Sequence, residues 1–182
     1  EFDLEYFNKI TKGGLPNKTL NIALAGTGVG KSLFMCHHAS SVLLQGRNVL
    51  YITMEMAEEK IAERIDANLL NIPIQDLTDL PKVMFDKKVN SISKKTQGQL
   101  IIKEYPTASA HSGHFKTLLN ELALKKSFRP DIIFIDYLNI CASSRYRANS
   151  GVNSYSYIKA IAEELRGLAV ESNVPIVSAT QT

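Results

Sequence analysis

The feature that most constrains the fold of this chain is a glycine-rich segment, Ala25-Gly26-Thr27-Gly28-Val29-Gly30-Lys31-Ser32. The apolar run Leu20–Leu24 before it is typical of a buried strand, and a helical pattern begins at Ser32. Glycines let the backbone turn tightly and aim successive N–H groups at phosphate oxygens, and a helix N-terminus adds partial positive charge there. The segment therefore predicts a phosphate-binding loop between a strand and a helix, with Ala25 replacing the usual first glycine.

This loop pattern predicts a binding site for a nucleoside triphosphate and Mg²⁺. Lys31 can reach the β- and γ-phosphates, and the Ser32 hydroxyl can ligate Mg²⁺. The alternative is a glycine-rich turn that binds no ligand. The residues expected to bind the nucleotide are Gly26, Thr27, Gly28, Val29, Gly30, Lys31 and Ser32.

Length and composition indicate one ordinary globular domain. The 182 residues suffice for one sizeable core, and 45% hydrophobic with 21% charged residues is typical of soluble proteins. A net charge of +3 permits nucleic-acid binding without arguing for it. The longest apolar runs have the length of strands, which predicts no membrane span. Cys36 and Cys141 lie in apolar surroundings and are expected to be reduced core thiols, as in a cytoplasmic protein.

Strand-like and helix-like segments alternate along the chain. This alternation predicts an α/β domain with a mostly parallel sheet and helices on both faces. The predicted strands are Leu20–Ala25, Asn48–Glu55, Leu100–Tyr105, Asp131–Leu138 and Val174–Gln181. The predicted helices are Ser32–Gln45, Ala57–Leu70, Leu80–Lys95, Ser112–Ser127 and Tyr155–Ser172, and Asn71–Asp79 is expected to be an irregular connection.

Two segments depart from this alternation. Residues 1–19 form a lead-in with a turn at Lys12–Pro16, and residues 20–182 form the core. Residues 139–154 form a long polar loop, and such loops are often functional. A sheet seldom ends its protein directly after a strand, so the stop at Thr182 leads us to expect a C-terminally truncated core.

Two carboxylates are predicted at the edge of the sheet that carries the phosphate loop. Asp136 ends an apolar strand, a pattern typical of a Walker B aspartate that holds Mg²⁺; the alternative is a solvated or capping aspartate. Glu55 lies where the second strand leaves the sheet, so it is a candidate for activating the water that attacks the γ-phosphate. The alternative for Glu55 is support of the next helix dipole, although Glu58 and Glu59 are better placed for that.

Gln181 follows the fifth strand at the same edge, where it could hydrogen-bond the γ-phosphate and report its loss. The alternative is a surface glutamine at a fraying terminus.

The four motifs together resemble the DnaB-type replicative helicases, and within that family most closely its T-even bacteriophage branch. The resemblance rests on Ala25–Ser32, Thr53–Met56, Ile135–Leu138 and Ser178–Gln181 in this order, with the Lys12–Leu15 turn ahead of them. It runs over essentially the whole chain. The phosphate loop alone is shared by many NTPases. Glu55, the triplet Asp136-Tyr137-Leu138 and Gln181 together are much more specific.

The resemblance implies a RecA-like P-loop motor domain of a homo-hexameric ring that moves 5′ to 3′ on single-stranded DNA. It implies primase and helicase-loader partners, and the host cytoplasm if a phage encodes the chain. Lys31 and Ser32 would contact phosphate and Mg²⁺, Asp136 would hold Mg²⁺, Glu55 would activate water, and Gln181 would couple nucleotide state to DNA loops.

Arg145 and Arg147 lie in the first DNA loop that the resemblance implies, although a solvated loop is the plainer interpretation of both. The family's arginine finger, second DNA loop and N-terminal domain would lie outside this chain. We therefore expect the chain to bind ATP–Mg²⁺ but to hydrolyse it poorly, without a stable hexamer or unwinding. Two other interpretations remain open: a RecA/RadA-type recombination ATPase, and a nucleotide-dependent binding or assembly module with little hydrolysis.

Overall fold

The computed structural model of the protein describes residues 1–94, 96, 98–147 and 151–181. Several predictions above touch residues outside these ranges. They are the last residue of the predicted helix Leu80–Lys95, part of the polar loop at residues 148–150, and the final residue of the predicted core, Thr182.

The fold is built on a sheet of 5 strands in the order β1-β5-β4-β2-β3, and all neighbouring strands are parallel. The predicted α/β class with a parallel sheet is therefore confirmed. The strands are β1 (Leu20–Leu24), β2 (Val49–Thr53), β3 (Leu100–Glu104), β4 (Ile132–Asp136) and β5 (Ile176–Thr180).

Helices connect these strands, and the five predicted ones are present with ends shifted by a few residues. The helices are α1 (Glu5–Thr11), α2 (Lys31–Leu44), α3 (Glu58–Leu70), α4 (Ile74–Leu77), α5 (Lys82–Ser93), α6 (Ser112–Lys126) and α7 (Ser154–Ser172). α1 and α4 are additional: α1 lies in the lead-in, and α4 interrupts the connection that we expected to be irregular.

The fourth strand is shorter than predicted. The apolar pattern extends to Leu138, but β4 ends at Asp136, the Asp136–Tyr137 peptide bond is cis, and Leu138–Ile140 forms a 3₁₀ turn. At the other end, Asp131 lies outside the strand, and its carboxylate accepts a hydrogen bond from the Asn48 N–H at 2.8 Å.

Each face of the sheet is covered by a separate apolar cluster. Alternate residues of β2 point to opposite faces, so Leu50 and Ile52 belong to one cluster and Val49 and Tyr51 to the other. The first cluster includes buried side chains of α6 and α7, and the second includes those of α2 and α3. Coverage on both faces explains why every residue of β2 and β4 is buried.

The lead-in packs against α2 through aromatic rings. Phe2 stacks on His38 with ring centroids 4.2 Å apart, and Phe7 lies 5.5 Å from Phe34. The predicted turn follows α1, where Lys12 adopts a left-handed conformation with a φ of 54°. In the part of the chain that the structure describes, no helix is long and apolar enough to cross a membrane.

His38 makes the stability of this packing depend on pH. It is buried between Phe2 and Phe134, its Nδ1 has no hydrogen-bond partner, and burial lowers its pKa from 6.5 to about 4. His38 therefore takes up a proton at a higher pH in the unfolded chain than in the folded chain. Lowering the pH from 6.5 to about 4 favours unfolding for this reason. We expect His38 alone to lower the free energy of unfolding by about 2–3 kcal/mol between pH 7 and 4.5.

Urea denaturation at both pH values measures this loss. His38→Gln should lose less stability than the native chain between pH 7 and 4.5, because it removes the titrating group. Equal losses in the native chain and His38→Gln would contradict the expectation.

The two cysteines behave as predicted. Cys36 and Cys141 are free and buried, and burial raises the pKa of their thiols to about 11 and about 12.

Candidate active site

The predicted phosphate loop connects β1 to α2, as its sequence context requires. Positive φ values occur at Gly28 (73°) and Gly30 (105°), conformations that favour glycine. A Cβ atom at Gly28 would meet no atom within 4 Å, so the conformation rather than crowding demands glycine there. Thr27, Gly28 and Val29 form the exposed crest of the loop.

Ala25 fits the loop without a glycine. It does not have a positive φ, and its N–H donates to the carbonyl of Thr180 at 3.3 Å, which joins the start of the loop to the end of β5. The backbone conformation at this position therefore does not require a glycine.

The N-terminus of α2 presents its first N–H groups to the loop. Its N-cap residue, Gly30, provides no side-chain hydrogen bond, and the first turn contains no acidic residue. The unpaired N–H groups and the positive end of the helix dipole are together a suitable arrangement for binding phosphate.

Lys31 holds its ammonium group at the loop. Its Nζ donates to the carbonyls of Gly26 at 2.9 Å and Ala25 at 3.3 Å, and it lies 6.0 Å from the centroid of the Tyr137 ring. A positive charge at this point complements the phosphates of a nucleotide.

Asp136 lies at the end of β4 beside the start of α2, and its side chain is only 1% exposed. Its Oδ2 accepts a hydrogen bond from the Tyr51 hydroxyl at 3.0 Å, whereas its Oδ1 is buried and has no hydrogen-bond partner. Burial raises the pKa of Asp136, although the neighbouring hydroxyls of Ser32 and Tyr51 and the charges of Arg64 and Lys31 oppose this shift.

These residues are chemically suited to Mg²⁺. The ion prefers oxygen ligands and is usually held by one or two protein groups together with phosphates and water. Asp136 Oδ1 is a buried acceptor without a hydrogen-bond partner, and the Ser32 hydroxyl lies close enough to the Asp136 carboxyl to lower its pKa, so the two side chains can supply two oxygen ligands to the ion. Among the described residues, no three His, Cys, Asp or Glu side chains lie together in a group that could hold a metal ion.

Glu55 lies at the same edge, two residues after β2. Thr53 pairs with Asp136 in the register of β2 and β4, and the Met54 N–H donates to the Asp136 carbonyl at 3.0 Å. Glu55 is exposed. The pKa of Tyr137 is raised, first by burial of the Tyr137 side chain and then by the negative charges of Glu55 and Asp136.

The alternative role for Glu55, support of a helix dipole, is filled by other residues. α3 begins at Glu58 after the N-cap residue Ala57, and its first turn contains both Glu58 and Glu59. Glu55 lies outside this helix, so its carboxylate is available at the candidate site.

Gln181 follows β5 and is half-buried. Because Leu24 pairs with Thr180 in the register of β1 and β5, Gln181 emerges next to Ala25 and the phosphate loop. The sheet therefore brings the phosphate loop, Gln181, Asp136 and Glu55 to one carboxyl edge, in the strand order β1, β5, β4 and β2.

The loop that carries Arg145 and Arg147 is tied to α7. Glu164 accepts hydrogen bonds from the Ser143 hydroxyl at 2.7 Å and the Ser144 N–H at 2.9 Å. Burial raises the pKa of Glu164, but these hydrogen bonds outweigh it and hold the pKa below its usual value. Arg145 forms an ion pair with Glu163 at 2.6 Å, whereas Arg147 is exposed.

Tyr51 and Glu164 were missed by the sequence interpretation. A tyrosine in an otherwise aliphatic buried strand is a signal for Tyr51, because a buried hydroxyl needs a partner. Glu164 lies in an ordinary helical pattern and gives no comparable signal.

A parallel α/β sheet with the predicted phosphate loop after β1 and an acidic residue at the end of β4 is the arrangement of a P-loop NTPase core. A family model described as the DnaB-like helicase C terminal domain matches residues 2–182. The chain belongs to this family, and the predicted resemblance is confirmed.

Curated relatives agree with this assignment. The chain is 51% identical over 183 residues to the DnaB-like replicative helicase of Enterobacteria phage T4, an alignment that covers 99% of this chain. It is 32% identical over 165 residues to a probable plasmid replicative DNA helicase of Chlamydia trachomatis serovar L2, covering 88% of this chain. The chain spans 38% of the phage protein and 34% of the chlamydial one.

Solved structures share the fold. A structure described as an ATPase domain superposes with a TM-score of 0.75 at 17% identity, covering 96% of this chain and 62% of that one. A DnaB-like replicative helicase, described with its interactions with primase, gives 0.73 at 18% identity, covering 93% of this chain and 40% of that one. These likenesses establish the RecA-like fold.

Proposed function

We propose that this chain is the ATP-driven motor domain of a hexameric replicative helicase that moves 5′ to 3′ along single-stranded DNA. The observation that carries this proposal is the convergence of the phosphate loop, Asp136, Glu55 and Gln181 at one sheet edge. Family membership and the names of the relatives support the helicase assignment.

Each residue at this edge has a defined role in ATP hydrolysis. Lys31 and the loop N–H groups bind the phosphates, and Ser32 and Asp136 hold Mg²⁺. When bound, Mg²⁺ neutralises the negative charge on the phosphate oxygens. Glu55 orients and polarises the attacking water, and Gln181, beside Ala25, contacts the γ-phosphate and transmits its loss.

Arg145 and Arg147 are the candidate DNA contacts. Both would bind backbone phosphates, which suits movement that is independent of sequence. Arg145 forms an ion pair with Glu163, so DNA can bind Arg145 only after this ion pair opens. Arg147 is exposed, and no acidic side chain among the described residues lies within ion-pairing distance of it.

We propose the partners that the family resemblance implies. They are single-stranded DNA, identical subunits of a ring, a primase and a helicase loader, and the site of action is the cytoplasm, or the host cytoplasm if a phage encodes the chain. The description of one structural neighbour with its interactions with primase supports the primase assignment.

The 182-residue chain by itself is expected to bind ATP–Mg²⁺ but to hydrolyse it slowly. The family's arginine finger comes from a neighbouring subunit, and such groups contribute roughly 10³–10⁵ in rate in related enzymes. Without a stable hexamer, no unwinding is expected either.

Strand displacement on forked DNA tests the proposal. We expect the full-length protein to unwind a fork with a single-stranded 5′ tail in the presence of ATP and Mg²⁺. A fork with only a 3′ tail is the matched control and should not be unwound. The isolated 182-residue chain should unwind neither substrate, and robust unwinding by it would contradict the expectation for the chain alone.

Two other outcomes would favour the competing interpretations. Strand exchange or filament formation by the full-length protein would indicate a RecA/RadA-type recombination ATPase. ATP binding without DNA-stimulated hydrolysis or unwinding would indicate a nucleotide-dependent assembly module.

A further inference from the structure

Three buried polar groups form a chain of hydrogen bonds beneath the phosphate loop. The Cys36 thiol donates to the Tyr51 hydroxyl, with 3.8 Å between Sγ and the oxygen, and the Tyr51 hydroxyl donates to Asp136 Oδ2 at 3.0 Å. Cys36 and Tyr51 are fully buried. The three groups come from α2, β2 and β4, so the hydrogen bonds connect three elements of the site.

Tyr51 has little freedom to move. Its ring stacks on Phe134 with centroids 5.7 Å apart and planes 14° apart, and the two residues are partners in the register of β2 and β4. Cys36 lies one helical turn after Ser32, on the same face of α2. Because burial raises the pKa of the thiol to about 11, Cys36 remains protonated and directs the Tyr51 hydrogen towards Asp136.

The two oxygens of Asp136 are therefore unequal. Oδ2 is occupied by the Tyr51 hydroxyl, and Oδ1 is buried without a hydrogen-bond partner. A carboxylate with one oxygen fixed cannot rotate freely, so the other oxygen keeps a constant direction.

We infer that Tyr51 is a positioning residue that fixes the Asp136 carboxylate, so that Oδ1 stays available to Mg²⁺ or its bound water at the phosphate loop. This inference rests on the proposed nucleotide–Mg²⁺ site. It assigns to the β2 strand a role in metal binding in addition to leading into the segment that contains Glu55. Loss of an outer hydrogen bond to a metal ligand typically weakens metal binding about 10- to 100-fold.

Tyr51→Phe removes the hydroxyl and keeps the stacked ring. Two quantities are measured on the 182-residue chain: the affinity for ATP without divalent ions, by calorimetry in EDTA, and the affinity of the ATP-bound chain for Mn²⁺, by electron paramagnetic resonance. We expect Mn²⁺ binding about 10- to 100-fold weaker and an unchanged affinity for ATP in EDTA. A general disturbance of the fold would weaken both.

Tyr105→Phe is the matched control. It makes the same chemical change at a half-buried tyrosine whose side chain packs against the opposite core cluster. It should bind ATP and Mn²⁺ like the native chain. Circular dichroism and thermal unfolding check that each variant is folded.

Cys36→Ala provides a second test should Tyr51→Phe fail to fold. It removes the donor to Tyr51 and leaves the tyrosine in place, and we expect a smaller loss of Mn²⁺ affinity in the same direction. If a folded Tyr51→Phe chain binds Mn²⁺ with the native affinity, the inference is overturned and the proposed nucleotide site stands. If Tyr51→Phe does not fold, native Mn²⁺ affinity in Cys36→Ala has the same meaning. Failure of the native chain to bind Mn²⁺ with ATP would overturn the proposed nucleotide site and this inference with it.

Discussion

Replacing Glu55 by Gln is expected to reduce the rate of ATP hydrolysis by the full-length protein by about 10²- to 10⁴-fold. The side chain lies at the carboxyl edge of the sheet, two residues beyond the strand position that pairs with Asp136. Glutamine keeps the size of the side chain, but it replaces one acceptor oxygen by an NH₂ donor and cannot take a proton from water. Affinity for ATP–Mg²⁺ should stay close to the native value, because binding depends on the phosphate loop. Steady-state hydrolysis with single-stranded DNA and calorimetry with ATP measure the two quantities.

Glu59→Gln is the matched control for this experiment. Glu59 is exposed in the first turn of α3, four residues further along the chain. Its replacement should leave hydrolysis close to the native rate, because it supports only the helix dipole. If Glu55→Gln hydrolyses ATP like the native protein, Glu55 does not activate water, and the nucleotide-dependent assembly module becomes the better interpretation.

Replacing Lys31 by Ala is expected to weaken binding of ATP–Mg²⁺ to the 182-residue chain by roughly 10- to 150-fold. Hydrogen bonds to charged groups contribute about 1.5–3 kcal/mol, and the Lys31 ammonium is the one cation that the loop sequence itself supplies. The fold should remain intact, because the hydrogen bonds that the Lys31 side chain donates in the described part of the chain reach only two carbonyls within the loop itself and none in the core. Titration calorimetry on the native and variant chains measures the difference.

Lys125→Ala removes a lysine from the exposed surface of α6 and leaves the loop unchanged. It should bind ATP–Mg²⁺ like the native chain, which excludes a general effect of net charge. Native affinity in Lys31→Ala would mean that the loop does not bind phosphate as proposed. Absence of binding by the native chain would contradict the proposed nucleotide site in this chain, because either the loop does not bind nucleotide or the site is incomplete without a neighbouring subunit.

The sheet and the phosphate loop could be predicted from sequence because their signals are local. Strands covered on both faces are apolar throughout, as in β2 and β4, and the helices between them have clear ends such as Gly46. The carboxyl edge of a parallel sheet then places Asp136 and Glu55 near the loop without further information.

α1 could not be predicted in the same way. It has only 7 residues, none fully buried, and a helix of this length is not stable by itself. It forms because Phe7 packs against Phe2 within the lead-in and against Phe34 of α2, and the second contact joins it to another element of the fold.

The hydrogen bond between Tyr51 and Asp136 could not be predicted from the sequence either, because it also depends on contacts between separate elements. It depends on the register of β2 against β4 and on the approach of α2, and residues 51 and 136 are 85 positions apart. The attachment of the arginine-bearing loop to Glu164 likewise requires the packing of α7 beside that loop.

Because both native thiols are buried, the protein can be labelled at an introduced cysteine without removing Cys36 and Cys141. With the pKa of Cys36 raised to about 11 and that of Cys141 to about 12, almost no thiolate forms at neutral pH, and neither sulfur is accessible to a bulky reagent. A cysteine introduced on the surface, for example in the exposed crest of the phosphate loop, would react with a maleimide dye far faster than either native one. Fluorescent probes can therefore be attached at chosen positions without first replacing the cysteine that contacts Tyr51.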